Sequence, residues 1–168
     1  ALVADGPVKG QTVMVPGGTG AVGYYAVQIA KAWGARVIAT VGNAQKAAMA
    51  KAAGADEVID YRAEDVGARV AALTGGQGVD RLLEVNLGMN AGLLPTIMKK
   101  GGVVVVYGST KPEAVILPNW GIRNRALIRF IYMYELPPEE YVAAWRDFTA
   151  MQTAGKLKHL PIREYPLL

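Results

Sequence analysis

Four times in the first 108 residues a short apolar run is followed by a segment whose apolar side chains recur at helical spacing, with brief connections, and a fifth apolar run closes the series. That alternation constrains the fold more than any other feature, because parallel strands can be joined only by crossovers and a helix is the compact one. The apolar runs are Gln11–Pro16, Ala35–Val41, Glu57–Asp60, Val79–Val85 and Val103–Tyr107. Helical spacing follows in Gly20–Trp33, Ala44–Ala53, Glu64–Leu73 and Asn90–Lys99, the last three stopped by Gly54, Gly75-Gly76 and Gly101-Gly102. Beyond Gly108 the rhythm loosens: Ser109–Gly121, with Pro112 and Pro118, reads as loop, and Ala126–Met133 as a sixth strand. Pro137-Pro138-Glu139-Glu140 then opens a final helix that ends near Gly155. Right-handed crossovers turn this order into a predicted α/β fold, a doubly wound, six-stranded parallel sheet with strand order 3-2-1-4-5-6.

Composition agrees. Of 168 residues 52% are apolar and 19% charged, enough for one full core and inconsistent with disorder. No uncharged apolar run is long enough to cross a bilayer. The net charge of +4 is mild and its lysines and arginines are scattered, so a nucleic-acid footprint is not indicated. The absence of cysteine excludes a disulfide scaffold and any thiolate zinc site in this chain, and the single His159 cannot build a multi-histidine cluster, so no metal is expected. No basic stretch precedes an apolar one at the start, which predicts a soluble, cytoplasmic protein. The opening Ala1 in place of methionine suggests a processed protein or an excised domain.

The chemistry is carried by the first turn. Gly18-Thr19-Gly20-Ala21-Val22-Gly23 is G-x-G-x-x-G, placed directly after a predicted strand and at the opening of a helix. In this reading Gly18 permits the tight turn, Gly20 lets a pyrophosphate approach the backbone, and Gly23 lets the helix pack on the strand. The helix N-terminus adds unpaired N–H groups and a positive dipole end for the phosphates. A dinucleotide selective for NAD would call for Asp or Glu at the end of the second strand, to bind the ribose 2′-hydroxyl. Gly42 and Asn43 stand there instead, no acid occurs between Asp5 and Asp56, and Lys46 follows the strand. This pattern admits a 2′-phosphate, and hydrogen bonds to a charged group are worth roughly 1.5–3 kcal/mol each, so NADPH is the expected cofactor. Tyr61 or Arg62, after the third strand, can reach the same adenosine end. Asp80 reads as a turn cap before its strand, Glu84 as a salt-bridged strand end, and His159 as a surface residue; no catalytic residue is assigned.

Longer blocks carry a family resemblance. Gly10-Gln11-Thr12-Val13-Met14-Val15, the Gly17–Gly23 loop, Ala26-Val27-Gln28-Ile29-Ala30-Lys31, Gly34–Thr40, Gly54–Arg62, Thr74–Asp80 and Gly101–Gly108 resemble the cofactor half of zinc-independent medium-chain dehydrogenase/reductases. The nearest branch is the quinone oxidoreductases related to zeta-crystallin. The match is close over residues 8–110 and loose thereafter. It implies NADPH binding, with Lys46 and Tyr61 at the 2′-phosphate, Gly18–Gly23 at the pyrophosphate, and Tyr107-Gly108-Ser109 with Asn86 on the nicotinamide side. Two places depart from the family pattern. Pro16 and Gly18 replace its usual His and Ala, and the fourth strand ends Glu84-Val85-Asn86 in place of Asp-Ser/Thr-Val. Family members also carry a GroES-like domain, which implies that residues 1–155 are the cofactor domain and 156–168 the start of a return segment. The implied activity is hydride transfer from NADPH to a quinone or enone. Enoyl or alcohol reduction within the superfamily, or a non-catalytic dinucleotide- or RNA-binding role, are the alternatives. The apolar sixth strand, Ala126–Met133, implies a homodimer paired edge to edge.

Overall fold

The computed structural model describes residues 2–3 and 5–160. Six strands, β1 (Thr12–Val15), β2 (Arg36–Val41), β3 (Glu57–Asp60), β4 (Val79–Glu84), β5 (Met98–Val106) and β6 (Leu127–Phe130), form one sheet in the order β3-β2-β1-β4-β5-β6. Every pair of neighbours runs parallel, for example Val13 beside Val37 and Val104 beside Ile128. The predicted fold is the observed one.

Helices cover both faces. On one lie α1 (Ala21–Ala32) and α2 (Ala44–Ala52), whose Val27, Ala30 and Ala50 pack with Val13, Val15, Val37 and Ala39 of the sheet. On the other, α3 (Val66–Thr74), α4 (Leu87–Asn90) and α5 (Leu94–Ile97) set Val70, Leu87, Leu94 and Ile97 against Met14, Ile38, Leu82 and Val104. Because the central strands are buried on both sides, they read as continuous apolar runs, as parallel strands do. The helix starts are chemically distinct. The Asn43 side chain caps α2 by accepting from the Lys46 N–H at 2.8 Å, and Asp65 caps α3 by accepting from the Ala68 N–H at 2.7 Å. No side chain caps α1.

Five local expectations need correcting. The segment predicted as one helix over Asn90–Lys99 is α4, a 3-10 turn at Ala91–Leu93 and α5, after which β5 begins at Met98. Gly92 and Pro95 interrupt it: the glycine weakens helix propagation, and the proline is tolerated only in a first turn. β5 therefore starts earlier than expected, with a register shift between the Val79–Met98 and Arg81–Val103 pairings. Within the stretch read as loop, Pro118 opens α6 (Pro118–Asn124), the position where a fixed φ and a missing N–H cost nothing. β6 is shorter than Ala126–Met133, since a 3-10 turn follows at Met133–Glu135, and α7 (Pro138–Thr153) comes after it. Asp80 lies inside β4, not before it; it accepts from the Thr12 N–H at 2.8 Å and pairs with Lys99 at 2.7 Å.

The described part of the 156–168 segment lies along α1. Gln28 is buried there and bonds both ways with Lys158, accepting from its N–H at 2.6 Å and donating to its carbonyl at 3.0 Å. Residues 161–168, where most of the expected return segment falls, lie outside the described residues.

Candidate functional site

The strand order reverses between β1 and β4, and a crevice opens at the carboxyl ends of the strands there, as it does in open α/β sheets generally. A groove of ≈ 370 Å³ runs across it, lined by Pro16, Gly17 and Thr19 to Gly23 of the turn and by Val41, Gly42, Lys46, Tyr61, Val85 and Tyr107.

Each glycine of the turn has its own reason. Gly18 is expected to permit the tight turn; the residue in left-handed backbone there is Gly17, with φ +66°. Gly18 is needed because a Cβ there would come within 2.7 Å of the Ala39 Cβ on β2. Gly23 could not carry a side chain without driving into the Gly17 carbonyl, so it closes α1 onto the loop rather than onto the strand. At Gly20 a Cβ would meet only the Gly17 oxygen, at 3.3 Å, and its other side is open. Thus two glycines build the turn's close packing, one bends it, and Gly20 presents bare backbone to the groove. With no side chain capping α1, the first N–H groups of that helix remain free for an anion. Thr19, Ala21 and Val22 follow in the same turn, and all three line the groove.

At the β2 end, a Cβ on Gly42 would lie 2.7 Å from the Tyr61 hydroxyl oxygen and 3.3 Å from the Arg62 Nε. The two side chains therefore come together over Gly42, and the exposed Lys46 lines the same end of the groove. No carboxylate lines it. Nearby acids are engaged locally: Asp60 accepts from the Arg62 N–H and Glu64 from the Asp60 N–H, both at 3.0 Å. Asn43 is exposed beside this cluster, its side-chain oxygen committed to the α2 cap.

The other rim joins the ends of β4 and β5. The Leu87 N–H donates to the Gly108 carbonyl at 3.3 Å, and the Gly88 N–H to the Ser109 hydroxyl at 3.1 Å. The Asn86 side-chain oxygen accepts from both the N–H and the hydroxyl of Thr110, each at 2.9 Å. Burial, with Glu84 nearby, pushes the Tyr107 phenol up to about 12, so it stays protonated at neutral pH. Glu84 itself is fully buried and forms no salt bridge among the described residues, contrary to the expectation from its place at a strand end. Its carboxylate instead accepts from the Asn86 N–H and from the Asn90 amide, the latter at 2.9 Å. His159 lies apart from the groove, hydrogen-bonded to Tyr25 of α1 at 2.7 Å.

Thr19 to Gly23, Gly42, Lys46, Tyr61 and Tyr107 thus converge on one groove, Gly18 lies buried behind it against Ala39, and Asn86, Gly108 and Ser109 build its neighbouring rim. Gly17 was named only as part of the loop, and Val85 and Thr110 were not assigned to the site in sequence. Gly17 was legible as one more glycine in the run, whereas nothing in the spacing marks Thr110.

The family model that describes zinc-binding dehydrogenases matches residues 21–150. Quinone oxidoreductase 1 of Escherichia coli strain K12 is 41% identical over 145 residues, which are 83% of this chain and 44% of that protein. The crystal structure of Escherichia coli quinone oxidoreductase complexed with NADPH superposes with a TM-score of 0.76 at 28% identity, covering 90% of this chain and 47% of the other. CurA of Vibrio vulnificus, also crystallised with NADPH, gives 0.80 at 26% identity, covering 92% and 49%. The chain spans about half the length of the curated relatives it matches. The matched family's description includes a metal. With no cysteine and one histidine in the chain, and no group of three or more His, Cys, Asp or Glu placed to hold an ion among the described residues, the residues present do not fit zinc.

Proposed function

The chain belongs to the zinc-binding dehydrogenase family, on the quinone oxidoreductase branch of the medium-chain dehydrogenase/reductases, and on that premise we propose that it is the NADPH-binding domain of an oxidoreductase that reduces a quinone or an activated alkene. One observation carries the reading. Bare backbone at Gly20 and the uncapped start of α1 face the same groove as an acid-free cluster of Lys46, Tyr61 and Arg62 around Gly42.

In this account the turn and the α1 N–H groups hold the pyrophosphate, where fixed donors need no reorganisation. Lys46 and Tyr61 take the 2′-phosphate, and a carboxylate at their place would repel it. The Asn86 and Tyr107–Ser109 rim lies along the nicotinamide side. When bound, the cofactor supplies the hydride, and the protein's part is orientation and exclusion of water. We assign no catalytic residue to this chain. Residues 1–155 then act as the cofactor domain, and the segment from 156 leads toward a substrate domain of the GroES-like kind. β6 is the sheet's outer strand, with Leu127 and Phe130 exposed, and pairing with a second copy would cover it. An enoyl or alcohol reductase of the same superfamily would use the same groove, so the acceptor distinguishes these activities.

The test is Lys46→Ala. It is expected to weaken NADPH binding about tenfold, near 1.4 kcal/mol, and to leave NADH binding unchanged. Equal losses for both nucleotides would put the 2′-phosphate elsewhere.

A further inference from the structure

Glu84 is the most deeply buried acid in the described chain, at 0% exposure, and the strand-end position it holds belongs to the apolar face of β4. The neighbouring residue on that face is Leu82, and Leu87 and Ala91 of the following segment are buried in the same core cluster. A carboxylate in such surroundings is unfavourable unless its oxygens are used. One oxygen of Glu84 accepts from two donors, the Asn86 N–H and the Asn90 side-chain amide; the other has no partner. No lysine, arginine or histidine among the described residues pairs with it. Its use is therefore local: it fixes the first residues after β4, where the chain must leave the sheet and turn back along the groove.

What it fixes reaches across to the next strand. Asn86, held by its N–H, presents its side-chain oxygen to the N–H and hydroxyl of Thr110. Thr110 belongs to the exposed segment after β5, and both of these hydrogen bonds end on Asn86. We propose that Glu84 is a positioning residue for the cofactor rim: by anchoring Asn86 and Asn90 it locks the loops after β4 and β5 into a single clasp on the nicotinamide side of the groove. The proposal rests on the dinucleotide reading of that groove, but the clasp itself exists without the nucleotide.

Two measurements separate the two claims. Amide hydrogen exchange on the nucleotide-free chain follows the Thr110 N–H, which is bonded to Asn86 alone. Glu84→Met removes both acceptor oxygens and is expected to speed Thr110 exchange about tenfold while leaving a distant amide such as Ala55, bonded to Ala50, unchanged. Glu84→Gln keeps one carbonyl acceptor and is expected to restore protection. Asn86→Ala, which leaves the buried acid in place, is expected to match Glu84→Met. Unchanged Thr110 exchange in Glu84→Met, or acceleration of every amide alike, would overturn the clasp.

The second measurement is nucleotide affinity. Glu84→Met and Asn86→Ala are each expected to weaken NADPH and NADH by the same factor, about tenfold, since the clasp is remote from the 2′-phosphate. The double variant should lose no more than either single one, because both act through one contact. Additive losses would overturn the positioning role. An unaltered chain that binds neither nucleotide refutes the dinucleotide reading, and with it the cofactor role of Glu84, while the exchange data still decide whether the clasp exists.

Discussion

A single methyl group separates the structural glycines of the first turn from the one proposed to meet a ligand. A Cβ at Gly23 has nowhere to go except into the Gly17 carbonyl, whereas one at Gly20 needs only a few tenths of an ångström from a single oxygen. Gly23→Ala is therefore expected to lower the melting temperature by several degrees, about 4 °C or less per kcal/mol for a chain of this size. Gly20→Ala is expected to leave the melt nearly unchanged and to abolish nucleotide binding. Paired melts and titrations check both, and binding retained in Gly20→Ala contradicts the assignment of the turn. The motif's existence was legible in the sequence, but the division of labour within it was not, because packing against Ala39 and Gly17 is a tertiary fact. Glu84 makes the same point. Burial raises its carboxyl above the ordinary value of 4.5, against the opposing hydrogen bonds from Asn86 and Asn90. A raised folded-state value means that the folded chain holds the proton more tightly than the unfolded one. Its stabilising contribution is complete below 4.5 and is lost as pH rises through the raised value. Glu84→Gln, which carries no charge, is therefore expected to gain in stability relative to the unaltered chain between pH 4 and pH 8. Melts across that range check the sign, and a relative loss would contradict it.

Elements were readable where their pattern was monotonous. β2 and the end of β5 are dominated by buried apolar residues, and α1 repeats its buried side chains at helical spacing, so tertiary context only confirmed the local preference. The segment Asn90–Lys99 misled because its apolar spacing is helical while Gly92 and Pro95 break the backbone ladder. Pro118 misled for the opposite reason, since a proline marks a helix start as readily as a loop. The edge strand bears on assembly. Ile128 packs partly into the core, so a charge there would damage the fold along with any interface, whereas Phe130 is 70% exposed. Phe130→Lys is the cleaner probe. If β6 pairs with a second copy, sedimentation should show the dimer replaced by monomer with the melt intact. An unchanged dimer mass would place the interface on another surface.

On the scale of the whole molecule, one buried cation ties the start of the chain to the sheet. Arg81, 1% exposed in the middle of β4, donates to the carbonyls of Leu2 at 2.8 Å and Asp5 at 3.3 Å. Burial lowers its pKa from the ordinary guanidinium value, partly offset by the Asp5 charge. A charged residue inside an apolar strand gave no hint in sequence that it served as a tether. Arg81→Met keeps the volume and removes the donors, so proteolysis between residues 2 and 8 should quicken about tenfold while the sheet still melts cooperatively. Cleavage at the original rate would mean that apolar packing of Leu2 and Val8 suffices. The groove, the turn and the Lys46 cluster meet in one functional claim, and the most direct test is a paired titration of the unaltered chain with NADPH and NADH in phosphate-free buffer, followed by nicotinamide fluorescence. NADPH binding about tenfold tighter or more is the expected result. Equal affinity, a preference for NADH, or no binding by a chain that melts cooperatively would contradict it.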